Sequence, residues 1–408
     1  MASQSAARTA TRWQRLVRER VLARLARLKS GALTIHDEAG VTTIGDPDGD
    51  LGVEAIEVRD PSFYTTLASS GAVGAGEAYV AGHWHADDVV AVLRLLVRDR
   101  EVLLDVDRSL WSLPRRWLLR LGYWRRQNSR LGSRRNIADH YDLSDELFRQ
   151  FLDPSMTYSS AWFDHPEQSL ADAQASKLRR LCELVDLGSE DRLLEIGTGW
   201  GSLAMTAAGS FGADVTTTTI SRNQFQTASE RVAQAGLAGR VKLLQKDYRD
   251  LEGSYDKLLS CEMIEAVGAR YLPEFLRRCA ARLRPGGVLG LQAITIADQH
   301  YESALRSVDY IKRHVFPGSF IPSVTAITQA ATKHTDLRLV RMVDFGEHYA
   351  ETLSRWRQVW HQKREEILGL GGDDNLMRAW DFYFAYCEAG FRERHIGVCH
   401  LRFERPNR

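Results

Sequence analysis

Chemistry in this chain is concentrated in a few short stretches. The first, Leu193-Leu-Glu-Ile-Gly-Thr-Gly-Trp-Gly-Ser-Leu203, reads as an apolar strand, a Gly-x-Gly-x-Gly turn and the start of a helix. Without Cβ atoms, Gly197, Gly199 and Gly201 let the turn take unusual dihedrals and let a ligand lie against bare backbone. Such turns also serve dinucleotides, phosphates or structure alone, so the residues that follow must decide. A dinucleotide fold expects Gly-x-Gly-x-x-Gly and an acidic residue about 20 positions on, holding the ribose hydroxyls. Neither is present. The second strand, Asp214-Val-Thr-Thr-Thr-Thr-Ile-Ser221, ends on Thr219 and Ser221 and is followed by Gln224, neutral hydrogen-bonding groups suited to a polar, zwitterionic ligand. Past a third strand, Val241 to Leu244, Asp247-Tyr248-Arg249 sets a carboxylate beside a ring, a pair able to bond an adenine amino group and stack on the base.

These stretches need elements to position them. A fourth strand ends at Ser260-Cys261, with Cys261 at the cofactor side, and leads into Glu262-Met-Ile-Glu265. A fifth, Val288 to Ile294, follows the turn Arg284-Pro-Gly-Gly287. This order matches an S-adenosylmethionine methyltransferase core, which is α/β, Rossmann-like and seven-stranded, of class I. Between the fifth strand and the last ones lies an insertion, about Asp298 to His334, containing Tyr310-Ile-Lys-Arg-His-Val-Phe-Pro-Gly-Ser-Phe-Ile-Pro-Ser323. Rich in rings and broken by Pro317, Gly318 and Pro322, it is a candidate lid over a substrate. The ring-rich helix around Met377 to Phe391 reads more simply as core.

Residues 1–135 form a smaller N-terminal α+β unit, with a basic helix near Trp13 to Lys29, strands near Leu33 to Ile35 and Val41 to Ile44, and a helix through Asp88 to Arg100. Residues 136–408 form the catalytic unit. At 408 residues, 44% of them hydrophobic, the chain exceeds one ordinary domain and has ample material for a core. A net charge of +1, from 54 basic and 53 acidic residues, implies no global electrostatic partner. The five cysteines are scattered without metal-ligand or paired spacing, which with the lack of a signal h-region points to a reducing, cytoplasmic setting and no metal. No segment approaches the roughly 18 uninterrupted apolar residues of a membrane span. One local asymmetry stands out: Arg115 to Arg135 holds eight arginines and no carboxylate, interleaved with Trp111, Trp117, Tyr123 and Trp124. It suits anionic lipid headgroups, at about 1 kcal/mol per basic residue near the surface, although a solvated linker or a phosphate track has the same composition.

Several motifs in one order carry a resemblance. Asn136-Ile-Ala-Asp-His-Tyr-Asp-Leu-Ser144, Leu152-Asp-Pro-Ser-Met-Thr-Tyr-Ser-Ser160, the glycine turn, Asp247-Tyr-Arg-Asp250, Glu262-Met-Ile-Glu-Ala-Val-Gly268 and Phe316-Pro-Gly318 together resemble the cyclopropane-fatty-acyl-phospholipid synthase family. Gly76-Glu-Ala-Tyr-Val-Ala-Gly-His-Trp84 is similar to the membrane-bound bacterial and plant members, and the likeness runs from about residue 50 onward. The resemblance implies one-carbon transfer from S-adenosylmethionine to the cis double bond of an unsaturated acyl chain in phospholipid. An isolated alkene is a poor nucleophile, so the site must align it in a dry pocket, where proximity can supply about 7–11 kcal/mol. The resulting cation needs π faces or a carboxylate beside it, and a base to take one proton.

Residue by residue, the family's methionine-side contacts fall on Tyr158 and Ser159, its cofactor-backbone contacts on Gly197 and Gly199, its ribose side on Thr219 and Gln224, and its adenine side on Asp247 and Tyr248. The family's base is a bound bicarbonate. Its Glu ligand maps to Glu265 and its Tyr to Tyr349, whereas its Cys position is Ser160 and its His position Gln292. Ser and Gln still donate hydrogen bonds, so a bicarbonate site with altered ligands is one expectation. Glu146, after His140-Tyr-Asp142, is a second: a substitute proton acceptor, against the plainer reading of a surface charge. Tyr158 also reads as a core aromatic, and Glu262 and Glu265 as first-turn helix carboxylates.

Ring closure to a cyclopropane is the first expectation for the product. A hydride shift before proton loss gives the second, a 10-methylene chain that a reductase partner would turn into a methyl branch. The partners expected are a bilayer with unsaturated acyl chains and anionic headgroups, met at the inner face of the cell membrane, and a second copy of the chain, since a dimer gains avidity. A small-molecule methyltransferase would keep the glycine turn but leave the basic segment and lid unexplained, and a lipid-binding protein without catalysis would not need the turn. Nucleic acid ranks last as a partner, because the Asp/Asn-Pro-Pro-Tyr signature is absent.

Overall fold

The computed structural model describes residues 10–102 and 145–407. The basic stretch Arg115 to Arg135 and the Asn136 to Ser144 motif lie outside the described residues. The chain forms two units. One gathers Met1–Arg125, Ser307–Val315 and Trp360–His395; the other gathers Arg126–Arg306, Phe316–Val359 and Ile396–Arg408.

In the first unit, the helix Arg12–Leu25 starts at Thr11, whose side chain accepts from the Gln14 amide while the Gln14 side chain returns a bond to the Thr11 amide. Val17, Val21 and Leu25, spaced four apart, are its buried stripe. Strands β1 (Ala32–Asp37) and β2 (Gly40–Gly45) form a hairpin, β3 (Val53–Val58) runs parallel to β1, and β4 (Trp84–His85) completes the order β2-β1-β3-β4. The motif from Gly76 to Trp84 ends the helix Ser62–Val80 and enters β4. Gly76 is bare because a Cβ there would stand 2.5 Å from Tyr310 and 2.7 Å from Phe382.

Here the division differs from a simple cut near residue 135. The ring-rich helix Asp374–Arg392 belongs to the first unit, with Trp380, Phe382 and Phe384 buried. Tyr79 meets Phe382 at 5.5 Å and donates to Asp381 at 2.5 Å, and Arg94 and Arg98 both reach Glu393 at 2.6 Å. An aromatic stripe on a late helix therefore supplies core for an early segment, a pairing that periodicity alone does not assign. The expected lid is divided too: the helices Asp298–Arg306 and Val324–His334 lie in the second unit, and Ser307–Val315 in the first.

The second unit is built on seven strands: β5 (Arg192–Ile196), β6 (Asp214–Thr218), β7 (Val241–Leu244), β8 (Tyr255–Cys261), β9 (Leu283–Ile296), β10 (Arg338–Asp344) and β11 (Ile396–Glu404). Their order is β10-β11-β9-β8-β5-β6-β7, with β11 antiparallel to both neighbours and parallel pairings running from β9 through β8, β5 and β6 to β7. This is the α/β, seven-stranded class I methyltransferase sheet. Central strands are apolar on both faces, as covered parallel strands must be: Leu193, Leu194, Leu258, Leu259 and Leu289 are fully buried. Strand order reverses between β5 and β8, so the crevice for a ligand opens at their carboxyl ends. Among the described residues no helix is long and apolar enough to cross a membrane.

Candidate active site

The carboxyl end of β5 delivers Gly197, Gly199 and Gly201 at φ values of 103°, 53° and 93°, a region that L side chains rarely adopt. The three glycines serve different needs. A Cβ on Gly197 would approach Met263 to 3.2 Å and one on Gly201 would approach Ala228 to 3.3 Å, so both permit close packing. A Cβ on Gly199 would meet no protein atom within 4 Å. That turn position is a cradle a side chain would fill, and it fits the expected cofactor. Replacing Gly199 with valine should weaken S-adenosylmethionine binding at least tenfold, because a β-branched side chain at positive φ is strained by about 1–3 kcal/mol and would occupy the cradle. Calorimetric titration of the folded variant reads this directly.

Around the turn, Thr219 donates to the Gln224 side chain at 2.9 Å, both buried at the end of β6. Ser221 caps the helix Arg222–Gln234, accepting from the Gln224 amide at 3.3 Å, so its hydroxyl has a structural task there. Asp247 is buried and accepts from the Arg249 amide at 3.0 Å, with the Arg249 Nε 3.4 Å away. Tyr248 packs edge-on against Phe275 at 5.5 Å, with the Arg249 guanidinium 5.2 Å from its ring centre.

Nearer the reacting centre lies a cation that sequence reasoning passed over. Lys177 is fully buried; its Nζ donates to Ser159 Oγ at 2.6 Å and lies 3.6 Å from Cys261 Sγ. Burial pushes the Cys261 thiol up to about 11, with Lys177 opposing, so this cysteine stays protonated at neutral pH. A signal for Lys177 did exist: on the helix Leu170–Leu184 it falls on the buried stripe with Ala173, Gln174 and Leu181.

Beside this cluster, Ser160, Glu262, Gln292 and Tyr349 converge. The β8 ladder closes where the Glu262 amide donates to the Gln292 carbonyl at 2.8 Å, and Glu262 then turns to φ 48°, a conformation uncommon for a non-glycine residue. Its carboxylate thereby receives the Ser160 amide at 3.0 Å and Gln292 Nε2 at 2.7 Å on Oε1, and the Tyr349 hydroxyl at 2.7 Å on Oε2. Burial raises the pKa of Glu262, and these three donors, with Lys177, oppose that rise. Register explains the convergence: Gln292 on β9 pairs with Cys261 of β8 on one side and His400 of β11 on the other. His400 is held neutral, pushed down to about 3 by burial and by nearby Lys177, Arg180 and Arg341. Its Nε2 therefore donates to Gln292 Oε1, 2.9 Å away, and turns the Gln292 amide group toward Glu262.

Two expectations shift at this point. The Ser160 hydroxyl is committed to the neighbouring Ala161 carbonyl at 3.0 Å, so the donor at this position is the backbone amide. Glu146 is exposed on the helix Asp145–Phe151, whose Leu147, Phe148 and Phe151 are buried, so the surface reading fits it and no base role follows. Nor do Glu262 and Glu265 occupy the first turn of an α-helix, since a 3-10 turn, Ile264–Ala266, follows β8. Glu265 accepts from the Ile294 amide at 2.5 Å through Oε1, while its Oε2 is buried without a hydrogen-bond partner. Burial and the neighbouring Glu262 push Glu265 up to about 8, so it is the protonated member of the pair at neutral pH.

The expected bicarbonate does not fit this donor set. The Ser160 amide, Gln292 Nε2 and Tyr349 hydroxyl, which a separate oxyanion would need, are all taken by Glu262. Aromatic rings adjoin the carboxylates: Tyr158 lies 5.2 Å from Phe148, 5.3 Å from Trp356 and 6.5 Å from Phe316, and Tyr349 lies 6.3 Å from Trp356. His348, Tyr349, Thr352 and Trp356 share one face of the helix Gly346–Gln362. Thr352 fixes the loop by accepting from the Ala161 amide at 3.0 Å. Half-buried carboxylates, a buried lysine and π faces make a site able to shelter a carbon cation and take a proton from it.

Comparison with known proteins places the same features in context. The model of the mycolic acid cyclopropane synthetase family matches residues 128–401. A tuberculostearic acid methyltransferase of Mycobacterium tuberculosis is 40% identical over 348 residues, covering 83% of this chain and 80% of that protein. The cyclopropane-fatty-acyl-phospholipid synthase of Escherichia coli is 30% identical over 371 residues, covering 90% of this chain and 91% of its own length. Among solved structures, a mycolic acid cyclopropane synthase complexed with SAH and CTAB superposes with a TM-score of 0.62 at 25% identity, over 67% of this chain and 98% of that one.

Proposed function

Because the chain belongs to the mycolic acid cyclopropane synthetase family of S-adenosylmethionine-dependent enzymes, we propose that it transfers a one-carbon unit to the cis double bond of an unsaturated fatty acyl chain carried by phospholipid. The observation that carries this reading is the half-buried carboxylate pair Glu262 and Glu265, with the Tyr349 hydroxyl on Glu262 and the rings of Trp356 and Tyr158 packed behind Tyr349. A methyl transfer to nitrogen or oxygen creates no carbon cation and needs no such pocket.

When bound, S-adenosylmethionine supplies an electrophilic sulfonium methyl and departs as the neutral thioether, keeping the C–S pair. Gly197, Gly199, Thr219, Gln224, Asp247 and Tyr248 would hold it at the ends of β5, β6 and β7, with Ser159, Lys177 and Cys261 on the methionine side. Tyr158 and its neighbouring rings exclude water and offer π faces to the cation, and the Glu262 carboxylate stabilises it by charge.

Two products follow from one cation. We place the methylene branch first, on the 40% identity to the tuberculostearic acid methyltransferase; ring closure, which the sequence motifs put first, is supported by the 30% identity to the Escherichia coli synthase. The branch-forming outcome calls for a reductase partner. Docking on the inner face of a membrane, through the N-terminal unit, is supported by the exposed Trp13 and Leu16 among the arginines of the helix Arg12–Leu25. A homodimer would double that anchorage.

Incubation with oleoyl-phospholipid vesicles and trideuteromethyl-labelled S-adenosylmethionine tests the reading. Mass spectrometry should show a product retaining two of the three deuteriums. Proton NMR should show the olefinic signature of a methylene branch in the acyl chain, whereas upfield ring-proton signals would assign the cyclopropane. An unmodified acyl pool with turnover of a soluble acceptor would overturn the lipid substrate.

A further inference from the structure

We propose that Glu262 itself is the proton acceptor of the reaction, an internal carboxylate standing where the resemblance calls for a bound bicarbonate. The inference rests on the acyl-chain reading above and deepens it.

Three observations converge on this side chain. Glu262 holds the full donor set of an oxyanion pocket: the Ser160 amide, Gln292 Nε2 and the Tyr349 hydroxyl, at 3.0, 2.7 and 2.7 Å. It is a carboxylate additional to Glu265, to which the family's glutamate maps. The backbone also holds Glu262 at φ 48°, where glycine would rest without strain. An uncommon backbone conformation persists when the surroundings over-determine it, and here it aims a carboxylate at three converging donors. The changes at positions 160 and 292 fit the same account. A pocket for a free anion gains from a cationic or thiol partner; a tethered carboxylate needs only neutral donors, because its attachment to the chain replaces the binding energy.

The step balances. Once the alkene π pair has bonded the new carbon, the cation sits on the acyl chain. Glu262 removes a proton from the newly attached carbon, and the C–H pair becomes the second ring bond or, after a hydride shift along the chain, the C=C of a methylene branch. The proton stays on the Glu262 carboxyl until solvent takes it after product release. No further oxidant or reductant is required.

The test compares the wild-type protein with Glu262→Gly in buffers stripped of carbon dioxide and then supplied with bicarbonate. Glycine relieves the positive φ but leaves three donors without their acceptor, so the variant should fold with a lower melting temperature and with unchanged S-adenosylmethionine affinity. Wild-type turnover should not respond to bicarbonate, and calorimetry should detect no bicarbonate binding to it. Glu262→Gly should lose about 10²–10⁴-fold in kcat, the usual worth of a positioned base, then recover part of it in bicarbonate while binding that anion directly. Bicarbonate dependence of the wild type overturns the proposal. So does a variant active within a few-fold of wild type without bicarbonate, or one that bicarbonate neither binds nor rescues. Failure of the acyl-chain reading looks different: the wild type would then leave every unsaturated lipid unmodified, while the calorimetric comparison of bicarbonate binding would still report whether Glu262 fills the pocket.

Discussion

Lys177→Met is expected to lower the melting temperature by roughly 6–20 °C and to abolish turnover, although the substituted side chain has nearly the same length and fits the same helix. Lys177 is fully buried and its charge opposes the burial-driven rise of Glu262, Glu195 and Asp153. Removing one partner from a buried charge group leaves the others uncompensated, at about 3–5 kcal/mol, and each kcal/mol shifts the melting temperature of a unit this size by roughly 2–4 °C. The carboxylates respond by taking up protons, so the variant loses its proton acceptor as well as stability. Thermal unfolding followed at pH 6 and pH 8 checks this: the deficit should be larger at pH 8, where the buried acids would otherwise ionise. A melting temperature unchanged at both pH values would show that Lys177 carries no compensating charge.

Glu265→Gln should flatten the pH dependence of stability. Glu265 is pushed up to about 8 in the folded protein by burial and by Glu262, against 4.5 for the ordinary side chain. Its neutral form is the one that folding favours, so its contribution is fully present below about 4.5 and is lost as pH rises through 8, a span on the order of several kcal/mol. Glutamine keeps the shape and cannot ionise. The wild type should therefore lose melting temperature between pH 6 and pH 9, and the variant should lose less of it. Parallel melting curves for the two proteins across this range would contradict the assignment.

The glycine turn and the order of the parallel strands were legible because both are local: a run of apolar residues, three bare positions and a capped helix require no knowledge of distant chain. Gly197 and Thr219 could be named as candidates from the sequence because they directly follow β5 and β6. The chemistry at Glu262 was less legible. Its role depends on cross-strand register, which sets Gln292 between Cys261 and His400, and on a backbone dihedral that no periodicity reveals. His400 was missed because β11 is buried on both faces, so an inward polar residue breaks no alternation. Ser160 illustrates a limit of side-chain inventories: its hydroxyl suggested the donor, and the donor is its amide. The grouping of the helix Asp374–Arg392 with the first unit was not legible for a related reason, since it carries ordinary core periodicity and nothing in its spacing names the segment it covers.

That last arrangement bears on how the protein is made. The first unit takes its core from both Val89–Arg98 and Asp374–Arg392, so the early part has no complete interior when it leaves the ribosome. At about 5–20 residues per second, roughly 15–60 s of synthesis separates the two pieces. The second unit's seven-stranded sheet needs β11 as well, which emerges after that late helix. Both units therefore complete their cores only once β11 has been made, leaving the apolar faces of the nascent chain for chaperones to shield in the meantime.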